Sequence, residues 1–118
     1  MDHESLREYC MKKPGVTEEL PFGIDTLVYK VMGKMFLLTG LEHRPIQVNV
    51  KCDPEQAIEL REKYAEVFPA YHMNKKHWNS VETGGSVSDK TILKMIDDSY
   101  ELVVASLPKR LREELRSI

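Results

Sequence analysis

Between Tyr71 and Trp78 the chain places His72, Asn74, Lys75, Lys76, His77 and Trp78, a concentration of cations, hydrogen-bonding groups and one large aromatic. Basic side chains neutralise phosphates, an Asn amide can meet a base edge, and an indole can stack on a base. Together these types suit an anionic, aromatic ligand. Each also has a structural reading: a sole Trp anchors a core, a lysine pair in a turn is solvated, and a strand histidine is hydrogen-bonded. Lys51, at the end of a strand, and Lys30, in a hairpin, are the cations that a sheet could bring toward this turn, with Arg44 a further candidate.

Other chemistries have less to stand on. The sequence holds no Gly-rich phosphate loop, no G-x-S-x-G elbow and no HExxH motif, and Gly84-Gly85 alone signals a loop. His72 and His77 could act as acid and base, but no nucleophile or carboxylate pair accompanies them. The reading is therefore non-enzymatic, with no cofactor. Cys10 and Cys52 form neither a CxxC nor a zinc motif and are expected to be reduced and core-facing. Asp2, Glu4 and Glu8 share one helix and could hold a hard cation weakly, but Arg7, Lys12 and Lys13 interrupt them, so no metal ligand is assigned.

The 118 residues carry a formal charge of −2, which implies no whole-molecule attraction to nucleic acid. The charge is unevenly spread. Residues 28–52 hold Lys30, Lys34, Arg44 and Lys51 against Glu42 alone, and residues 69–81 hold Lys75 and Lys76 with no acid. With 42% hydrophobic and 31% charged residues, the chain can bury a core and stay in solution, and its length fits one domain over 1–118. No apolar run approaches a membrane span and the N-terminus is polar and acidic, so a cytoplasmic location is expected.

The elements that must position these residues follow from periodicity. Asp2 caps a helix to about Lys12 with Leu6, Tyr9 and Cys10 on one stripe, and Pro14-Gly15 stops it. Thr26–Met32 and Met35–Thr39 read as a hairpin turning at Gly33-Lys34. Ile46, Val48, Val50 and Cys52 alternate with Gln47, Asn49 and Lys51, the period of a strand with one buried and one solvated face. Asp53-Pro54-Glu55-Gln56 starts a second helix, expected to reach Ala65. Tyr71–Met73 and Trp78–Thr83 read as short strands around the Asn74-Lys75-Lys76 turn. Ser88 caps a long helix with an apolar stripe from Ile92 to Leu107, and a short charged helix follows Pro108. The fold class is α+β: an antiparallel sheet with helices mainly on one face.

Three segments carry a resemblance: Tyr9-Cys10 with Pro14-Gly15-Val16-Thr17-Glu18, the junction Val48-Asn49-Val50-Lys51-Cys52-Asp53-Pro54-Glu55, and Tyr71-His72-Met73-Asn74-Lys75-Lys76-His77-Trp78. With Ser99–Val104 and Leu107-Pro108-Lys109, they resemble the MmcQ/YjbR family of small bacterial proteins over nearly the whole chain. The resemblance implies a CyaY-like, frataxin-type fold and DNA binding through a double-wing arrangement of strands and loops. The contrasting expectation is a protein-interaction or small-anion-binding domain that uses the same groove.

Overall fold

A computed structural model describes residues 1–118. Its elements are α1 (His3–Met11), β1 (Val16–Glu19), β2 (Thr26–Val31), β3 (Lys34–Gly40), β4 (Gln47–Lys51), α2 (Pro54–Lys63), β5 (Val67–Pro69), β6 (Trp78–Glu82), α3 (Asp89–Ser106) and α4 (Lys109–Arg116). The strands form one antiparallel sheet in the order β1-β2-β3-β4-β6-β5. The α+β class and the helices on one face are thus as expected.

The helices begin where side chains can satisfy their free N–H groups. Asp2 accepts from Ser5 N at 2.7 Å, and Ser5 Oγ accepts from Asp2 N in return. Asp53 accepts from Glu55 N and Gln56 N, with Pro54 opening α2. Ser88 Oγ accepts from Thr91 N. The β2–β3 hairpin turns at Met32-Gly33, one residue earlier than expected; both residues have positive φ, the pattern of the tight turn whose twist matches its strands.

Alternation sorts the strands into two faces. Tyr29, Val31, Val48, Val50 and Val81 join the main core beneath the apolar stripe of α3, from Ile92 and Ile96 to Tyr100 and Val103. On β3 the pairing slips by one residue between Tyr29↔Leu37 and Lys30↔Met35, so Phe36 is a bulge residue and both Phe36 and Leu37 face the main core. Ser99 of α3 fills the gap beside the bulge: its Oγ accepts from Lys51 N at 2.8 Å and donates to Phe36 O at 2.6 Å.

The opposite face carries no helix. Val28, Leu38, Trp78 and Ala70 form a smaller cluster there, with Met35 and Met73 against it. The segment after β5 covers this part of the sheet. Residues 71–73, read from sequence as a strand, form turns instead, and the strand pairing with β6 lies earlier, at Val67–Pro69. β1 is likewise an edge strand that the sequence reading left unassigned.

Away from the sheet, Asp97 ties α3 to α1. It accepts from Tyr9 Oη at 2.7 Å and Lys13 Nζ at 2.5 Å, and Lys13 lies over the rings of Tyr9 and Tyr100. Partial burial pushes the Asp97 carboxyl up, but the hydrogen bonds from Lys13 and Tyr9 outweigh it and hold the group below its ordinary value. A depressed native pKa adds stability above the unfolded-state value of about 3.9, and that stability is lost as pH falls through the native pKa. We therefore expect Asp97→Asn to cost about 1–2 kcal/mol at pH 7, the lower part of the range for charge-assisted bonds because the carboxylate is partly exposed. Urea melts of both proteins at pH 7 and pH 3 check this: the gap should shrink at pH 3, and an undiminished gap would mean that charge is not what Asp97 contributes.

Candidate functional site

The Asn74–His77 turn is built from its own residues and braced from the helical side. Asn74 Oδ1 accepts from Lys76 N at 3.0 Å, and Asn74 O accepts from both His77 N and Trp78 N. Arg61 of α2 donates through Nη2 to Lys75 O and through Nε to Asn79 Oδ1 at 2.6 Å; the buried Asn79 in turn donates to Ala57 O. His77 O accepts from Cys52 N at 2.7 Å, which fastens the turn to the end of β4. The backbone is preset, and the side chains of Lys75 and Lys76 are left outside.

This places the candidate residues unequally. Lys51 pairs with Trp78 across β4 and β6 and Cys52 N donates to His77 O, so the end of β4 and the Lys75–His77 turn share one end of the sheet, with Lys51 on the open face and Lys75 against Tyr71 there. The six ion pairs of the molecule include none of Lys51, Lys75, Lys76 and His77. His72 is exposed one turn away, at the mouth of a groove. Asn74 is committed through its side-chain oxygen to the turn, so it is a builder of the site and not a reader of bases. Trp78 is only 9% exposed and packs on Val28, Leu38 and Ala70, which removes it as a stacking platform; covering by residues 70–73 is the physical reason.

Two cations stand apart. Lys30 lies two strands from Lys51, about 10 Å by the usual strand spacing, but its ammonium is paired with Glu19 at 3.2 Å. Arg44 sits in the β3–β4 connection, at the other end of β4 from Lys51, where its guanidinium donates to Leu41 O and His43 O at 2.9 Å each. The sheet does not bring Arg44 to the turn.

Beyond the covered cluster, the open face forms a groove of about 760 Å³. Its floor is Gln47 and Asn49 of β4 with Ser80 and Glu82 of β6, the residues of the two paired strands that face away from the main core. One wall is aromatic: the Phe68 and Tyr71 rings stack at 6.2 Å between centroids, and Lys75 Nζ lies 5.3 Å from the Tyr71 ring centre. Phe22, from the β1–β2 connection, stands at the other side and is 62% exposed, as Tyr71 is 64%. Neither this floor nor Arg61 is marked as a site by the sequence motifs. Amides facing outward on the clearest strand, where charged residues would be ordinary, were the available signal for Gln47 and Asn49; no local pattern pointed to Arg61.

Nucleophile chemistry finds no support in the thiols. Burial pushes Cys10 up to about 12, and it raises Cys52 as well. No three His, Cys, Asp or Glu side chains gather to hold a metal ion, and the Asp2 carboxylate is used as a helix cap. No helix is long and apolar enough to cross a membrane.

The sequence profile of the YjbR family matches residues 11–102. Two uncharacterized Escherichia coli proteins are similar along their length: YbdF, 36% identical over 97% of this chain and 93% of its own, and YjbR, 35% identical over 98% of each. Among solved structures, a Deinococcus radiodurans protein with a DUF419 domain superposes with a TM-score of 0.90 at 36% identity, covering 97% of this chain and 87% of that one. A Pseudomonas syringae protein superposes with a TM-score of 0.73 at 28% identity, covering 86% of this chain and 98% of its own. On the profile match and the breadth of these identities, the chain belongs to the YjbR family.

Proposed function

We propose that the protein is a non-enzymatic nucleic-acid-binding module, and that DNA is its ligand. The observation that carries this reading is the group of cations at one end of the open sheet face, Lys51, Lys75 and Lys76, held on a braced strand and turn without any carboxylate partner. Asp53, Asp98 and Glu101 line a separate pocket between α2 and α3, on the helical side of the sheet, and none of them pairs with these lysines. Arg44 is dropped from the proposed contacts and Lys30 is secondary, because both are engaged within the protein.

Each phosphate neutralised releases counterions, so log affinity should fall with log salt by roughly 0.7 to 0.9 per contact. Three or four contacts give weak, steeply salt-dependent binding. Anisotropy of a labelled oligonucleotide at a series of salt concentrations tests this. Lys75→Ala/Lys76→Ala should reduce the salt slope by roughly 1.4 to 1.8 while leaving the melting temperature unchanged. A slope equal to that of the wild type would take these lysines out of the interface.

A second reading uses the same groove for a protein partner or small anion. Phe22 on the groove and its neighbours Leu20 and Ile24 in the β1–β2 connection are all exposed, Ile24 88% so, and this exposed apolar segment favours a protein. Such a partner would leave the oligonucleotide titration flat at low salt.

A further inference from the structure

The groove and the lysine edge ask for different chemistry. Asn49 Oδ1 accepts from Ser80 Oγ, which leaves the Asn49 NH2 as a donor with no partner in the protein. Gln47 and Glu82 face each other across β4 and β6, and neither side chain has a protein partner. An unpaired carboxylate repels a phosphate, so the floor is not an extension of the cationic edge. A wholly apolar occupant would strip water from two amides and a carboxylate and return no hydrogen bonds. The floor needs an occupant whose edge carries donors as well as acceptors. The stacked Phe68–Tyr71 wall and the exposed Phe22 ring favour one that is flat. The volume, about 760 Å³, lies within the range of small-ligand sites.

We infer that the groove is a pocket for one unstacked nucleobase bearing an exocyclic amine, adenine or cytosine, so that the polymer this protein takes is single-stranded. The amine donates to Glu82, the Asn49 and Gln47 amides meet the ring edge, and the base lies against Tyr71. Tyr71 also touches Lys75, so the ring joins the pocket to the cation edge that follows the backbone. A base inside a duplex is paired and stacked and cannot reach the floor without being extruded. This inference rests on the nucleic-acid reading but does not share its test, because a nucleoside without phosphate can occupy the pocket alone.

Trp78 borders the covered cluster beside the groove and reports on it through its emission. Adenosine and uridine are titrated against the wild type, Tyr71→Ala, Glu82→Gln and Lys75→Ala/Lys76→Ala; oligo-dA, oligo-dT and the dA·dT duplex follow. Adenosine should give a saturable change that survives in the double-lysine variant, with uridine roughly tenfold weaker. Tyr71→Ala, at an exposed position that leaves folding intact, should weaken adenosine roughly tenfold, and Glu82→Gln should level adenosine and uridine. Oligo-dA should bind more tightly than the duplex. If neither nucleoside titrates and single and double strands bind alike whatever stands at position 71, the pocket assignment is overturned while the phosphate reading survives. If adenosine titrates with the expected preference but no polymer binds, the pocket stands and the phosphate reading falls.

Discussion

Trp78→Ala should lose about 3–5 kcal/mol of folding stability, the range for emptying a buried aromatic site. The indole is 9% exposed and is the largest side chain of the small cluster with Val28, Leu38 and Ala70, against which the partly buried Met35 and Met73 pack. The loss lies on the helix-free face, so the main core beneath α3 keeps its packing while the 70–73 cover loses its support. At about 2–8 °C per kcal/mol for domains of this size class, the melting temperature should drop by more than about 6 °C. Calorimetry checks the figure, and emission from the wild type should be blue-shifted and poorly quenched by iodide. A red-shifted, readily quenched indole together with an unchanged melting temperature would return Trp78 to the surface.

The second large effect is expected at Ser99. Its hydroxyl accepts from Lys51 N and donates to Phe36 O, and it is fully buried. Ser99→Ala removes the bridge but leaves both backbone groups buried, at a cost of about 1–3 kcal/mol for each group left unsatisfied, so about 2–6 kcal/mol together. The change should also act locally. Amide hydrogen exchange at Lys51 should speed up more than exchange in β1 or β2, because the ladder beside the Phe36 bulge depends on this hydroxyl. Uniform acceleration along the sheet would show that Ser99 contributes only to global stability.

Strong periodicity made much of the architecture legible. The alternation from Ile46 to Cys52 marked β4 and its solvated face, the Ser88 cap and the stripe from Ile92 to Leu107 marked α3, and Pro108 separated α4. The elements that escaped were those defined by pairing more than by composition. Val16-Thr17-Glu18-Glu19 is an edge strand with no fully buried residue and Val16 as its one apolar side chain, so it lacks the apolar alternation that signals a strand. Val67 falls at helical spacing from Tyr64, and the second helix is expected from sequence to reach Ala65; it ends at Lys63, because Tyr64 is already extended, with φ −125° and ψ 127°, and the chain enters β5.

The site was legible in part for the same reason. Lys75 and Lys76 could be recognised from residue type because a turn exposes them, and Lys51 because the strand period assigns its face. The burial of Trp78 depends on residues 70–73 folding over the sheet, a tertiary event with no local signature. The engagement of Lys30 by Glu19 depends on β1, the strand that went unassigned. Arg44 was grouped with the turn by charge alone, and the connection that holds it lies at the far end of β4. The groove required the strand order β3-β4-β6-β5, which sets Asn49 beside Ser80 and brings Phe68 to the same face.

The most direct test of the central claim is a residue-resolved NMR map of amide shifts on adding a short single-stranded oligonucleotide at low salt. Shifts concentrated at Lys51, at residues 71–77 and along Asn49 and Ser80, fading as salt is raised, are expected. Shifts confined to the outer faces of α1, α2 and α3, or none at all with the protein folded, would contradict that claim.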